Sequence, residues 1–337
     1  MSMRKPTMPS ESEALSETRP ARRALVGSEF VPTLMVLAAT VLLVAGMKIA
    51  NPAFGSFDQL TAILVTAIFL VVASFGQGLV ILLGGIDLSL GVVIGIGGMM
   101  IAGLTRGSDD ALLFAIPLTL VCCAGIGLIN GIGVALAKLP PFIATLSSGI
   151  TFFGIALGLT AGSSQQAVAP TLQRFMNSDL LGLPYPILFT ILFVAAAWLF
   201  QNRTAEGRKL YAIGSSPGAA RILGLPIAAL TIAVYAISAL CAGITGILLA
   251  GYSASATLDM GDALLMPSIA AVVIGGARVT GGSGIYLGTL SGALFLSTLS
   301  TVITALSLSR GFRDVVQGGI ILFALLLQSG RLTVRSR

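Results

Sequence analysis

The sequence predicts an all-α integral membrane protein of about ten transmembrane helices, some broken or half-spanning, and three observations predict it. Of its 337 residues 55% are hydrophobic and 9% charged, where soluble domains carry roughly 25% charge. Apolar runs of about twenty residues recur along the chain, the length a helix needs to cross hydrocarbon. Basic residues fall mainly in alternate connections, as the positive-inside rule requires of a multi-pass chain. They are dispersed between apolar segments, so the net charge of +6 describes membrane loops and no nucleic-acid surface.

Residues 1–29, rich in Ser, Glu, Arg and Pro, read as a disordered cytoplasmic tail, and 30–330 as one transmembrane domain. Val31 to Ala50 is the first span, too long for a signal-peptide core, and Pro52 and Gly55 turn the chain on the far side. Leu60 to Leu83 is the second span, with a break or kink expected near Gly76-Gln77-Gly78. Gly84 and Gly85 interrupt the apolar run before the third span, Ile86 to Thr105. Ala111 to Ala137 is the fourth and Pro140 to Ala161 the fifth; a polar outer stretch, 163–184, precedes the sixth, Pro186 to Gln201.

Residues 31–200 hold nine charged side chains, yet Arg203, Glu206, Arg208, Lys209 and Arg221 fall within the single window 202–225. So much polarity cannot sit in hydrocarbon, and a cytoplasmic loop with a short helix bracketed by turns is expected there. Pro226 to Gly251 is the seventh span, 252–262 an outer loop, and Ala263 to Gly276 a broken eighth segment that either spans or re-enters. Ile285 to Ala305 and Phe312 to Leu327 complete the ten. With both termini inside, the inner side holds fourteen Lys and Arg and the outer side five, the expected bias.

VILLGGIDLSLG (80–91) and AAVVIGGARVTGG (270–282) both run an apolar stretch into Gly-Gly and a polar turn. A two-half internal repeat accounts for this, as does chance in a Gly- and Val-rich chain. Asp87 follows the first glycine pair, with Ser89 close behind. Two readings of its carboxylate stand side by side: a cap on the amides of the following helix, and an acidic group at membrane depth that marks a substrate path or moving joint. Gly84, Gly85, Asp87 and Ser89 are therefore the candidates for the pathway or joint. Gln77 and Asn130 suit hydrogen bonds between helices, and Gly284, Gly288 and Gly292 suit close approach of a neighbouring backbone. Arg278 needs no more than the positive-inside rule.

The missing residues narrow the chemistry. Histidine is absent, which removes His-based catalysis, zinc sites and proton relays. Cys122, Cys123 and Cys241 lie in apolar stretches and read as small buried side chains. No Gly-Lys dipeptide occurs, so the chain has no Walker A loop and binds no nucleotide phosphate by that route. No metal-ligand spacing is present, and no ladder of intramembrane carboxylates suited to ion coupling.

Four segments carry a family resemblance. GGIDLSLG (84–91), LPPFIATLSSG (139–149), GRKLYAIGSSPGAARILGL (207–225) and IAAVVIGGARVTGGSGIYLGTLSGAL (269–294) occur in the order, and with the signatures, of ribose-type sugar permeases of bacterial ABC importers. Ser215-Ser216 departs from the Gly-Asn frequent in that family. The resemblance implies a multi-pass inner-membrane permease with both termini cytoplasmic that pairs with a second copy or close relative. It implies cytoplasmic ATPase subunits that carry ATP and Mg, a periplasmic sugar-binding protein, and no cofactor on this chain. It makes 202–225 the coupling loop, with Arg203, Glu206, Arg208, Tyr211, Gly214, Ala219, Ala220, Arg221 and Gly224 facing or supporting the ATPase. An ion-coupled secondary transporter of a small polar solute is the alternative, and a passive channel or structural subunit the third class.

Overall fold

A chain with no water around its middle must satisfy every backbone group internally, which helices do. The computed structural model describes residues 30–52, 54–165, 167–309 and 311–322. Expectations for the 1–29 tail and for the last span beyond residue 322 lie outside the described residues. In chain order the helices are α1 Phe30–Ala50, α2 Phe57–Leu82, α3 Leu90–Thr105, α4 Leu112–Ala135, α5 Pro141–Thr160, α6 Pro170–Asn177, α7 Tyr185–Arg203, α8 Ala205–Ser215 and α9 Pro217–Ile222, followed by α10 Ile227–Ser253, α11 Asp262–Ile274 and α12 Tyr286–Ala305. Residues 311–322 form α13. Seven of these, α1, α2, α4, α5, α7, α10 and α12, are long and apolar enough to cross a membrane, and α3 and α11 are shorter apolar helices.

One small departure from an all-α chain is a two-residue hairpin, β1 Asp179–Leu180 against β2 Leu183–Pro184. Leu181 and Gly182 turn it with φ of 54° and 84°, the paired positive values of a type I′ hairpin. The outer stretch 163–184 also folds α6, which Asp109 holds. The Asp109 carboxylate accepts from the Thr171 N–H and hydroxyl, both at 2.8 Å, and pairs with Arg174 at 3.0 Å. These donors, the Thr171 amide foremost, draw its pKa below the ordinary carboxylate range.

Two helices form the centre. α2 is buried on nearly every side from Ala67 to Leu82, as a helix apolar all round should be. α10 lies against α4, α3 and α2, and small residues bring the backbones together. A Cβ on Gly246 would lie 2.2 Å from the Ile94 carbonyl oxygen, and one on Gly127 2.3 Å from that of Tyr235. The kink expected at Gly76-Gln77-Gly78 does not occur. α2 runs through without a break, and Gly76 instead admits the Ser238 backbone of α10, whose Cα a methyl there would meet at 2.7 Å.

The third span is shorter than expected, because 84–89 is not helical and α3 starts only at Leu90. The segment 252–262 also departs from the outer loop that its polarity suggests. Residues 254–261 descend beside α3 in a largely non-helical path, with Leu258 beside Gly95 and Gly261 beside Gly91, and α11 begins there. Gly95 lies ten residues before the end of α3, roughly 15 Å along it at 1.5 Å per residue. Irregular backbone at that depth is tolerated because protein covers it, and Ala256 and Leu258 are buried. The eighth segment is therefore a half-length helix preceded by a descending stretch.

The Gly-Gly echo has a structural counterpart. At the end of α2 the Gly84 N–H bonds to Ile81 and the Gly85 N–H to Val80; at the end of α11 Gly276 bonds to Val273 and Ala277 to Val272. Both are Schellman closures with a left-handed glycine, Gly84 or Gly276, just past the cap. The closures match with a one-residue offset between the glycine pairs.

Candidate functional site

Two structures lie close together, the short helices α8 and α9 at one end of the bundle and a buried polar knot around Asp87 within it. Asp87 is only 1% exposed. Its carboxylate accepts from the Ser89 N–H at 3.0 Å, the Ser89 hydroxyl at 2.6 Å and the Ser238 hydroxyl of α10 at 2.9 Å. Ser89 in turn accepts from Asn130 Nδ2 of α4 at 2.8 Å, and the Ser148 hydroxyl of α5 donates to Asn130 Oδ1. The Leu88 N–H donates to Thr145 Oγ1 at 3.0 Å. The Gln77 carboxamide of α2, oriented to complement the Asp87 backbone, donates to its carbonyl (3.1 Å) and accepts from its N–H (3.2 Å).

The cap reading of Asp87 is corrected in detail. The Leu88 amide goes to Thr145, and Ser89, not Asp87, occupies the cap position of α3. Asp87 binds one amide and two hydroxyls and so stitches a non-helical turn to α10. No Lys or Arg pairs with it among the described residues. Gly85 sits under Tyr235, whose buried hydroxyl has no hydrogen-bond partner among the described residues; a Cβ on Gly85 would come within 2.7 Å of it. Gln77 and Asn130 link elements, as their apolar setting suggested. Thr145, Ser148, Ser238 and Tyr235 are members that the sequence did not single out, since hydroxyls in apolar spans usually bond back to their own helix.

The knot lies inside the spans. Ser238 is eleven residues into α10, roughly 16 Å from its start at 1.5 Å per residue. Gly261 approaches Gly91 there, so the starts of the half-helices α3 and α11 meet beside it. Asp259 and Asp262, on the last turn of the descending segment and the first of α11, are exposed. Their carboxylates were not among the expected site residues, because the segment looked like an ordinary outer loop.

Residues 202–225 form two helices, not one. Thr204 caps α8 by accepting from the Gly207 N–H at 3.0 Å, and Ser216 caps α9 by accepting from Ala219 at 3.3 Å, with Pro217 in the first turn. Ser216 thus supplies the turn chemistry that the Ser215-Ser216 departure left open. Gly214-Ser215-Ser216-Pro217-Gly218 has the Gly-x-Ser-x-Gly form of a nucleophile elbow. It joins two helices here, with no strand before it and no histidine in the chain, so that chemistry does not follow. α9 ends on a third Schellman closure, Gly224 to Arg221 and Leu225 to Ala220, with Gly224 at φ 69°.

The expected coupling residues divide by direction. Tyr211 donates its hydroxyl to the Gly284 carbonyl at 2.6 Å and accepts from Gln201 at 2.8 Å. Gly214 faces inward so closely that a Cβ would lie 1.9 Å from the Leu82 carbonyl oxygen. Ser215 donates to the Gly282 carbonyl at 3.1 Å, and the Gly282 N–H donates to Leu82 at 2.9 Å. Ala220 is 2% exposed and braces α9 from within. Arg203, Arg208, Ala219, Arg221 and Gly224 are exposed, and Glu206 pairs with Lys209 at 2.7 Å. Ile222 and Leu223, 89% and 74% exposed, project from α9 as an apolar knob that the sequence reading passed over.

The glycine signatures thus converge. The ends of α2 and α8 and the loop 275–285 are bonded together, and Gly84 at this junction lies three residues before Asp87. Close packing continues along α12, where a Cβ on Gly288 or Gly292 would meet the Gly275 or Ala271 carbonyl oxygen at 2.1 Å.

Over residues 59–325 the chain matches the family described as branched-chain amino acid transport system / permease component, and it belongs to that family. It is a multi-pass permease of the ABC-importer class, the membrane component and not the catalytic subunit. It is 33% identical over 288 residues to the ribose import permease protein RbsC of Bacillus subtilis, covering 85% of this chain and 89% of that protein. It is 34% identical over 309 residues to the probable ABC transporter permease protein y4mJ of Sinorhizobium fredii, covering 91% of each. The autoinducer 2 import system permease protein LsrD of Photorhabdus laumondii is 31% identical over 287 residues, 83% of this chain and 86% of that one. No solved structure matches the chain.

Proposed function

We propose that this chain is the permease of an ATP-driven importer that moves a sugar, a ribose-like pentose, hexose or polyol, from periplasm to cytoplasm of a bacterium. The observation that carries it is the bonded junction of α8, the end of α2 and the loop 275–285, which ties a polar surface segment to the buried turn at Asp87. The relatives named for ribose and for autoinducer 2 support a small polar cargo over a branched-chain amino acid. Ten membrane segments lie between a tail at 1–29 and residue 330, with both termini cytoplasmic in the inner membrane. Coupling residues within 202–225 meet ATPase subunits that hold ATP and Mg, a second permease copy or close relative completes the path, and a periplasmic binding protein delivers the sugar.

In this reading the ATPase grips the Ile222–Leu223 knob, and the inward contacts of Tyr211, Gly214 and Ser215 transmit its movement to Leu82 and the loop. Asp87, Ser89, Gly84 and Gly85 form the joint about which α3 swings. Exposed carboxylates at membrane depth are costly unless they face a solvated path, which assigns Asp259 and Asp262 to the sugar's route, where they accept from its hydroxyls. The test is uptake by proteoliposomes that hold permease, ATPase and binding protein. Uptake that requires ATP inside supports the importer; uptake without ATP that collapses with an ion gradient installs the secondary-transporter alternative.

A further inference from the structure

An apolar groove of about 520 Å³ lies between α2, α7 and α12, walled by side chains that include Leu64, Val71, Ile187, Trp198, Leu290 and Leu294. Its extent along α7, from Ile187 to Trp198, is eleven residues or roughly 16 Å at 1.5 Å per residue. Half of a hydrocarbon core about 30 Å thick is the length of one leaflet's acyl chains. The groove therefore fits a single lipid tail in length and in chemistry.

Its charged end decides what kind of lipid. Trp198, the only tryptophan of the chain, closes the groove at the α8 end, and the Arg203 guanidinium lies over its ring at 5.5 Å from the centroid. Arg208 donates to the Arg203 carbonyl at 3.1 Å, which holds a second guanidinium against the backbone of the same residue. Neither is in an ion pair among the described residues, because the adjacent Glu206 is occupied by Lys209. Tryptophan settles at the headgroup level of a bilayer, and basic pockets between membrane helices bind anionic headgroups.

We propose that this groove is a binding site for an anionic phospholipid, its tail between α2, α7 and α12 and its phosphate on Arg203 and Arg208. The bound lipid braces α7 where it turns through Thr204 into α8, so it stabilises the segment that joins the membrane bundle to α8 and α9. That the lipid comes from the cytoplasmic leaflet rests on the orientation proposed above; the site itself does not.

The experiment is native mass spectrometry of the purified permease after delipidation and reloading with phosphatidylglycerol or phosphatidylethanolamine of matched tails. Wild type should retain phosphatidylglycerol roughly tenfold better, a gap that two basic side chains near a membrane surface can supply. The double variant Arg203→Gln, Arg208→Gln should lose the preference, and Arg203→Lys, Arg208→Lys should keep most of it. Thr190→Trp, which fills the groove wall, should reduce retention of both lipids. Equal retention of the two lipids by wild type, or an unchanged preference in the Gln variant, overturns the headgroup site. A folded Thr190→Trp protein that still holds lipid overturns the groove, as does a groove found covered by a second copy or by chain beyond residue 322. Cysteine labelling at Ser215 reports the orientation separately: exposure of that side to the periplasm would move the lipid to the other leaflet and leave the site intact.

Discussion

Asp87 meets three donors and no cation, so its variants separate structure from charge. In Asp87→Ala the Ser89 N–H and the hydroxyls of Ser89 and Ser238 lose their acceptor, at about 1–3 kcal/mol for each donor left unsatisfied. The purified permease should then unfold at a clearly lower temperature. Asp87→Asn can still accept from Ser89 and can donate to the Ser238 oxygen, so its thermal stability should lie near wild type. If the charge serves the transport cycle, Asp87→Asn should assemble normally yet transport poorly, and Asp87→Glu should retain part of the activity. Wild-type uptake by the Asn variant at matched permease content would reduce Asp87 to a structural tie. Gly214 makes the complementary case: a methyl there would stand 1.9 Å from the Leu82 carbonyl oxygen, backbone that cannot move aside cheaply. Gly214→Ala should insert and assemble but uncouple ATP hydrolysis from uptake, and normal coupling in that variant would show that the contact between α8 and α2 is not a transmission point.

At the scale of elements, α9 puts its exposed apolar surface on two residues. Ile222→Asp with Leu223→Asp should leave the permease folded, since both side chains face outward, and should abolish capture of the ATPase in pull-down; undiminished capture would place the docking surface elsewhere. Gly224→Ala should weaken the end of α9 by about 1–2 kcal/mol, because the left-handed conformation costs that much for a residue with a Cβ. Its effect on ATPase capture should be smaller than that of the double Asp variant. Sequence pattern revealed these elements unevenly, for physical reasons. Long spans were legible because hydrocarbon imposes a length, and boundaries such as Ile285 against Tyr286 differ by one residue. The knot was legible only through Asp87, Ser89, Gln77 and Asn130, since the hydroxyls that complete it look like those that bond back to their own helix. The descent of 254–261 was hidden because its polarity matches an outer loop, while the glycines that admit it, Gly91 and Gly95, belong to another element. The Gly-Gly echo was visible, but its one-residue offset depends on which glycine takes positive φ.

Over the whole molecule, the ends of the helices sort into two faces without reference to charge. Pro32 at the start of α1 touches Gly276, and Pro141 at the start of α5 approaches Gly85, so these ends join α8, α9 and the loop 275–285 on one face. The opposite face gathers the end of α1, the start of α2, the α3–α4 connection with Asp109, α6 and the β1–β2 hairpin. Ser215 and Ser164 lie on opposite faces, and both are exposed. The first face carries Lys138, Arg203, Arg208, Lys209, Arg221 and Arg278 in its connections, and the positive-inside rule predicts that such a face is the cytoplasmic one. Single cysteines at Ser215 and at Ser164, with Cys122, Cys123 and Cys241 replaced by alanine, test this in intact cells. A membrane-impermeant maleimide should label position 164 from outside and reach position 215 only after the cells are opened. Labelling of both from the same side would break the ten-segment scheme, and reversed labelling would invert it. Reversed labelling would remove α8 and α9 from the reach of a cytoplasmic ATPase, as would labelling of both positions from outside, so the side on which position 215 reacts decides whether the importer mechanism is available to this chain.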